Sequence, residues 1–127
     1  MIQGTAGLNI HADTIRQDPI VSLLRLEGRF DAEGLPPVLA EIEKSRTAGS
    51  VRFIIDLREV SFIGSAGIGI FLSLVEECQG EGGRVVFLDV PDSIQRIFEV
   101  LNVLEFLEIT QSREDALKLL LSDEPSS

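Results

Sequence analysis

The 127-residue sequence predicts a single α/β domain: a small mixed β-sheet of four to five strands with about four helices packed against it. Two runs, VRFIIDL (51–57) and RVVFLDV (84–90), are almost continuous in β-branched, aliphatic and aromatic residues. Strands covered on both faces read this way, as in a parallel sheet. A helical pattern separates them, so strand, helix and strand follow within residues 51–90, the span of a right-handed βαβ crossover. Hydrophobic residues make up 44% of a chain of one-domain size, enough for one core.

The elements follow in order. GLNIHA (7–12) reads as a short edge strand after a mixed, polar start. PIVSLLRLEGRF (19–30) is a stronger strand, with Pro19 at its start and Ile20, Leu24, Leu26 and Gly28 on one face. LPPVLAEIEKSRTAG (35–49) is a helix: Leu35, Val38, Leu39 and Ile42 recur at helical spacing, and both prolines fall in the first turn, where a missing donor costs nothing. After strand 51–57, the residues REVSF form a bend. A helix then runs from about Ser65 to Gln79, with Ile68, Phe71, Leu72 and Val75 as its apolar stripe. GEGG (80–83) ends it ahead of strand 84–90. PDSIQRIFEVLN (91–102) is a helix with Asp92 as N-cap, the stripe Ile94, Ile97, Phe98 and Leu101, and Asn102 as its close. EFLEI (105–109) reads as a last short strand. Ser112 and Asp115 have capping-box spacing and open a helix to about Leu121, with Ala116, Leu117, Leu120 and Leu121 inward. The domain therefore spans residues 1–121, and 122–127 reads as a flexible tail.

Composition excludes several classes of function. Eleven basic against 21 acidic residues give a net charge of −10, which repels nucleic-acid backbones and anionic lipid. A partner with a basic patch is the natural complement. No apolar run reaches the roughly 20 residues of a membrane helix, and no signal-peptide pattern opens the chain, so a cytoplasmic protein without membrane insertion is expected. One histidine, His11, and one cysteine, Cys78, offer no disulfide and no transition-metal site. No metal, cofactor or catalytic residue is expected.

The segment SFIGSAGIGIF (61–71) raises the functional question. A phosphate loop needs a lysine after its second glycine, and none is present. The dinucleotide fingerprint is absent too: the glycines stand at 64, 67 and 69. A nucleophile elbow, Gly-x-Ser-x-Gly, would need glycine at 63, where Ile63 stands, and a histidine base after the serine. On spacing alone Ser65 reads as an N-cap. It also stands at the carboxyl end of a buried strand, where open α/β sheets place ligands and partners. Small neighbours let another protein approach, and a helix start tolerates a phosphate, which adds about −1.5 to −2 charge.

The run from VRFIIDL through LNVLEFLEI (51–109) resembles the STAS domain, and most closely the small free-standing bacterial anti-sigma factor antagonists. The likeness rests on Asp56-Leu57, Val60, Phe62-Ile63, Ser65-Ala66-Gly67, Gly83 and Leu101, and upstream on LEGRFDAEGL (26–35). It covers about residues 7–110. The resemblance implies partner switching. The unphosphorylated protein binds an anti-sigma factor that is also a serine kinase, which releases a sigma factor. The kinase, using ATP that it binds itself, phosphorylates the motif's serine and ends the interaction; a phosphatase restores it. By position that serine is Ser65, and Asp31 matches the acidic residue placed near it. Gly64 stands where the family commonly has Asp or Asn. The expected contact surface is Ser61, Gly64, Ser65, Ala66, Ile68, Gly69 and Asp31. Two other readings use the same surface: an accessory STAS subunit of a membrane transporter or sensory assembly, or a small-ligand or nucleotide-binding module.

Overall fold

The structure is a computed structural model that describes residues 2–5 and 7–122. Six strands form one sheet in chain order: β1 (Ile2–Thr5), β2 (Leu8–Gln17), β3 (Ile20–Phe30), β4 (Arg52–Ile63), β5 (Arg84–Leu88) and β6 (Glu108–Thr110). The first two pairings are antiparallel and the last three parallel. Each parallel step needs a crossover, and the crossovers carry α1 (Leu35–Thr47), α2 (Ser65–Gly80) and α3 (Asp92–Val100). These three helices share one face. Val38 and Ile42 of α1, Phe71 and Leu74 of α2, and Ile94 and Phe98 of α3 bury themselves in one cluster with Phe53, Ile55 and Leu57 of β4. The alternate residues Val21, Ile54 and Val86 face the opposite side, where Ala116 and Leu120 of α4 (Arg113–Leu120) cover them.

The mixed α/β architecture is the expected one, with one strand more than the sequence indicates. The added strand is β1. It pairs with β2 from Ile2 opposite His11 to Thr5 opposite Leu8, so β2 is not an edge strand. β2 also continues to Gln17, five residues past the expected end. All but Ile15 are polar and exposed, and the ladder to β3 keeps the segment extended while Ile15 packs on the second core cluster. β4 runs to Ile63 instead of stopping at Leu57. Register shifts against β3 let Leu57, Val60 and Ile63 all face the core at a spacing of three. A strand with that spacing loses its period of two and reads as a bend.

Some inward assignments fail at the ends of helices. Leu39, Leu101 and Leu121 are exposed; Leu72 does pack half-buried against the core, and Leu74 and Cys78 join it fully buried on α2. Asp92 is the first residue of α3 and not its cap; Pro91 precedes it. Ser112 does cap α4, accepting the Asp115 N–H at 3.0 Å. Arginines from the sheet hold the other end of α4. Arg52 donates to the Leu120 carbonyl at 3.0 Å and Arg84 to the Leu119 carbonyl at 3.1 Å, a favourable place for cations at a helix C-terminus. Arg84 also grips Glu108 with two hydrogen bonds, tying β5 to β6 and raising the arginine pKa. Of the expected tail 122–127, all but Ser122 lies outside the described residues. No described helix is long and apolar enough to cross a membrane.

The buried Cys78 thiol yields a chemical test. Burial pushes its pKa up from 9.0 to about 11; Arg46 pulls the other way, while Glu81 and Glu77 add to the rise. A raised thiol pKa in the fold means the unfolded chain releases its proton first. Stability should therefore be flat below pH 9 and fall as the pH climbs from 9 toward 11. Thiol-reagent labelling at pH 8 should be slow in the native protein and fast in denaturant; equal rates would contradict the burial of Cys78.

Candidate functional site

The site grows from the parallel pair β3–β4. Phe30 and Ile63 form its last matched pair, and the Gly64 N–H then donates to the Phe30 carbonyl at 2.9 Å. The two chains leave the sheet side by side. One continues into Asp31, whose carboxylate accepts the Glu33 N–H at 3.2 Å and starts a 3₁₀ turn over Ala32–Gly34. The other turns into α2. The Gly64 carbonyl accepts the Ile68 N–H at 3.1 Å, so Gly64 is the N-cap and Ser65 the first helical residue. Ser65 is thus not the N-cap. Its side chain is exposed, and α2 begins without any side-chain cap. The first-turn N–H groups have no partner within the helix and retain the positive end of its dipole.

Gly67 sets how close α2 lies to the sheet. It is buried, and a Cβ there would meet the Phe30 ring at 2.9 Å. The same ring packs on Phe71 at 5.6 Å between centroids, and Phe71 packs edge-on against Phe87 at 5.3 Å. Gly64 has no such constraint. Its backbone is ordinary extended chain at φ −86° and ψ 165°, and a Cβ would find only van der Waals neighbours at 3.8 Å. The departure at this position from the pattern that the resemblance implies is therefore a choice of side chain and not a demand of the backbone.

Among the expected surface residues, Ser61, Ser65, Ala66 and Gly69 are exposed, and Gly64 and Asp31 half-buried. Ile68 is the correction. It is 3% exposed and belongs to the core, so it cannot offer its side chain to a partner. The sequence reading missed Ile70, Ser73, Leu39 and Ile42, which lie beside Ala66 and Gly69. Ala66, Gly69, Ile70 and Ser73 of α2 face Leu39 and Ile42 of α1 across an open groove of about 320 Å³. Leu39 is 44% exposed there. The overlooked signal was Ile70, an apolar residue off the α2 stripe between Gly69 and Ser73. A Cβ on Gly69 would touch nothing within 4 Å, so the groove is open at that point.

The nearby arginines are engaged elsewhere. Arg29 lies over the Phe62 ring at 4.4 Å, and Arg58 pairs with Asp89 at 3.3 Å. His11 sits against Glu27 at 3.0 Å, on β2 and away from Ser65. No group of three or more metal-ligating side chains lies together among the described residues. The site is a hydroxyl on an uncapped helix start beside a shallow apolar groove, an arrangement suited to contact with another protein.

Comparison with known proteins gives the frame for this geometry. The family model described as the STAS domain matches residues 11–116. The chain belongs to the STAS domain family. A relative named anti-sigma-B factor antagonist, from Staphylococcus aureus, is 22% identical over 107 residues that span 84% of this chain and 98% of the relative. Among solved structures, an anti-sigma factor antagonist from Mycobacterium paratuberculosis superposes with a TM-score of 0.80 at 18% identity, covering 94% of this chain and 99% of that one. The anti-sigma factor antagonist SpoIIAA is similar in its unphosphorylated form, with a TM-score of 0.73, 18% identity, and 87% and 94% of the two chains covered. Its phosphorylated form matches at 0.67 and 18%, covering 87% and 97%.

The Gly67–Phe30 contact makes a direct prediction about packing. Gly67→Ala should destabilise the domain by about 1–3 kcal/mol, because the ring or the helix must move. Gly69→Ala, pointing into open space, should stabilise it by about 0.5–1 kcal/mol through helix propensity. Urea unfolding of the two variants checks the contrast; equal effects would contradict the close approach at Gly67.

Proposed function

We propose that this STAS protein is an anti-sigma factor antagonist, a cytoplasmic, non-catalytic regulator whose docking is switched at Ser65. The carrying observation is the position of Ser65: exposed, first in α2, with its hydroxyl outside any capping bond, beside the Leu39–Ile70 groove. The names of its STAS relatives support the reading, as does the existence of a phosphorylated form of SpoIIAA. The partner is an anti-sigma factor with serine kinase activity, which brings its own ATP; a phosphatase reverses the modification. In the unphosphorylated state the partner covers Ser65, Ala66 and Gly69 and sets an apolar side chain into the groove. Asp31 and Ser61 border this contact.

Phosphorylation would work by charge and bulk. A phosphoryl group on Ser65 adds about −1.5 to −2 charge, and the free N–H groups of α2 help hold it in place. The domain need not rearrange. A hydrated dianion on a surface of small and apolar residues costs the partner its close approach. Gly64, lacking the carboxylate common in the family, leaves the hydroxyl with one fewer acidic neighbour.

Incubation with an anti-sigma factor kinase and ATP, followed by mass spectrometry, tests the proposal. One phosphate on Ser65, absent from Ser65→Ala, is the expected product. Binding should survive Ser65→Ala. Ser65→Asp and Leu39→Ser should each weaken it by about tenfold or more. No complex and no phosphate, or equal affinities for Ser65→Ala and Ser65→Asp, would sink the reading.

A further inference from the structure

The chain between α3 and β6 exposes apolar side chains that the Ser65 surface does not use. Val100 is 73% exposed, Leu101 46% and Phe106 59%, three of the five exposed large hydrophobic residues among those described. Their exposure follows from how α3 ends. Asn102 turns left-handed at φ 58°, and the Val103 N–H donates to the Phe98 carbonyl at 3.0 Å. The reversal packs Val103 and Leu104 on the core and leaves Val100, Leu101 and Phe106 outside. Next to them lies an open depression of about 480 Å³ lined by Glu99, Asn102, Leu104 and Glu105. Three exposed apolar side chains within seven residues, interspersed with glutamates, are the composition of an interaction surface.

Charge selects the occupant. No lysine or arginine occurs between Arg96 and Arg113. Glu108 is held by Arg84, while Glu99 and Glu105 make no ion pair among the described residues. Arg96, one turn before Val100 on α3, is the single base close in sequence. A second copy of this chain would bring the same glutamates face to face on molecules of net charge −10. Anionic lipid meets the same repulsion. We propose that this turn is a second docking site, for a protein segment that presents apolar anchors flanked by lysine or arginine. α2 starts at the carboxyl end of β4, whereas α3 ends next to the amino end of β6, so the two surfaces lie at opposite ends of the sheet. Both can be occupied at once.

Two fluorescently labelled amphipathic peptides with the same Leu/Phe face test the assignment, one with lysines on its polar face and the other with glutamates. In anisotropy titrations with the full chain, the lysine peptide should bind and the glutamate peptide should not. Phe106→Ser, and separately the double variant Glu99→Lys/Glu105→Lys, should each weaken binding by about tenfold, while Ser65→Asp leaves it unchanged. Val100→Ser, at the most exposed of the three apolar positions, replaces Phe106→Ser if that variant fails to fold. Failure of the lysine peptide to bind, equal binding of both peptides, or unchanged affinity in the patch variants overturns the assignment. So does a dimer of the free protein, seen in sedimentation, that Phe106→Ser abolishes.

Discussion

Phe30 holds the sheet and the functional helix together through both its backbone and its ring. Its carbonyl takes the Gly64 N–H and so fixes where β4 stops and α2 begins. Its ring fills the space that Gly67 leaves empty and continues through Phe71 to Phe87 on β5. The position of Ser65 follows from these contacts. It is held from behind by the residues before and after it, and among the described residues its own side chain makes no bond that a modification would have to break. The switch proposed at Ser65 would separate the cost of folding from the cost of signalling. The core stabilises the platform, and the exposed atom on it is free to change charge.

The same economy governs the groove. Val38 and Ile42 of α1 and Leu74 of α2 reach the shared core. Further out, Gly69 and Ala66 offer little bulk, and Leu39 is left half in water. Glycine inside a helix costs about 0.5–1 kcal/mol relative to alanine. Gly69 bears this cost with no neighbour within 4 Å to require it, which points to an external reason for its small size. The acidic surface sharpens the choice of partner at both ends of the sheet. At the Ser65 end the exposed Ala66 and Gly69 are small and uncharged, so in the proposed switch one added phosphate would change the local charge sharply. At the α3–β6 turn Glu99 and Glu105 already make the proposed contact acidic, and a basic segment would be its match.

How much of this was legible depended on whether local periodicity matched the final environment. The buried parallel strands 51–57 and 84–90 and the four helices showed clearly, because covered strands and amphipathic helices leave strong patterns. β1 did not show, since four residues starting a chain carry too short a pattern. The extension of β4 was hidden because its bulges put Leu57, Val60 and Ile63 inward at a spacing of three. Leu39 and Leu101 followed helical spacing and still ended outside, since periodicity gives a direction and not the presence of a neighbour. Ser65 was found from its setting between strand and helix, but its role as cap was misplaced by one residue. Backbone hydrogen bonding to Phe30, which no sequence pattern records, decides that Gly64 takes the cap. Ile68 was misjudged for a related reason: within one turn of α2, exposed Ala66 and Gly69 alternate with core residues.

Amide hydrogen exchange across the start of α2, resolved residue by residue, tests the role of Phe30 most directly. If its carbonyl anchors the junction, the Gly64 amide should exchange as slowly as the central amides of β4. Those of Ser65 and Ala66, in the open first turn, should exchange orders of magnitude faster. Fast exchange at Gly64, matching Ser65, would mean that the junction frays and that Ser65 is carried by a mobile loop instead of a fixed platform.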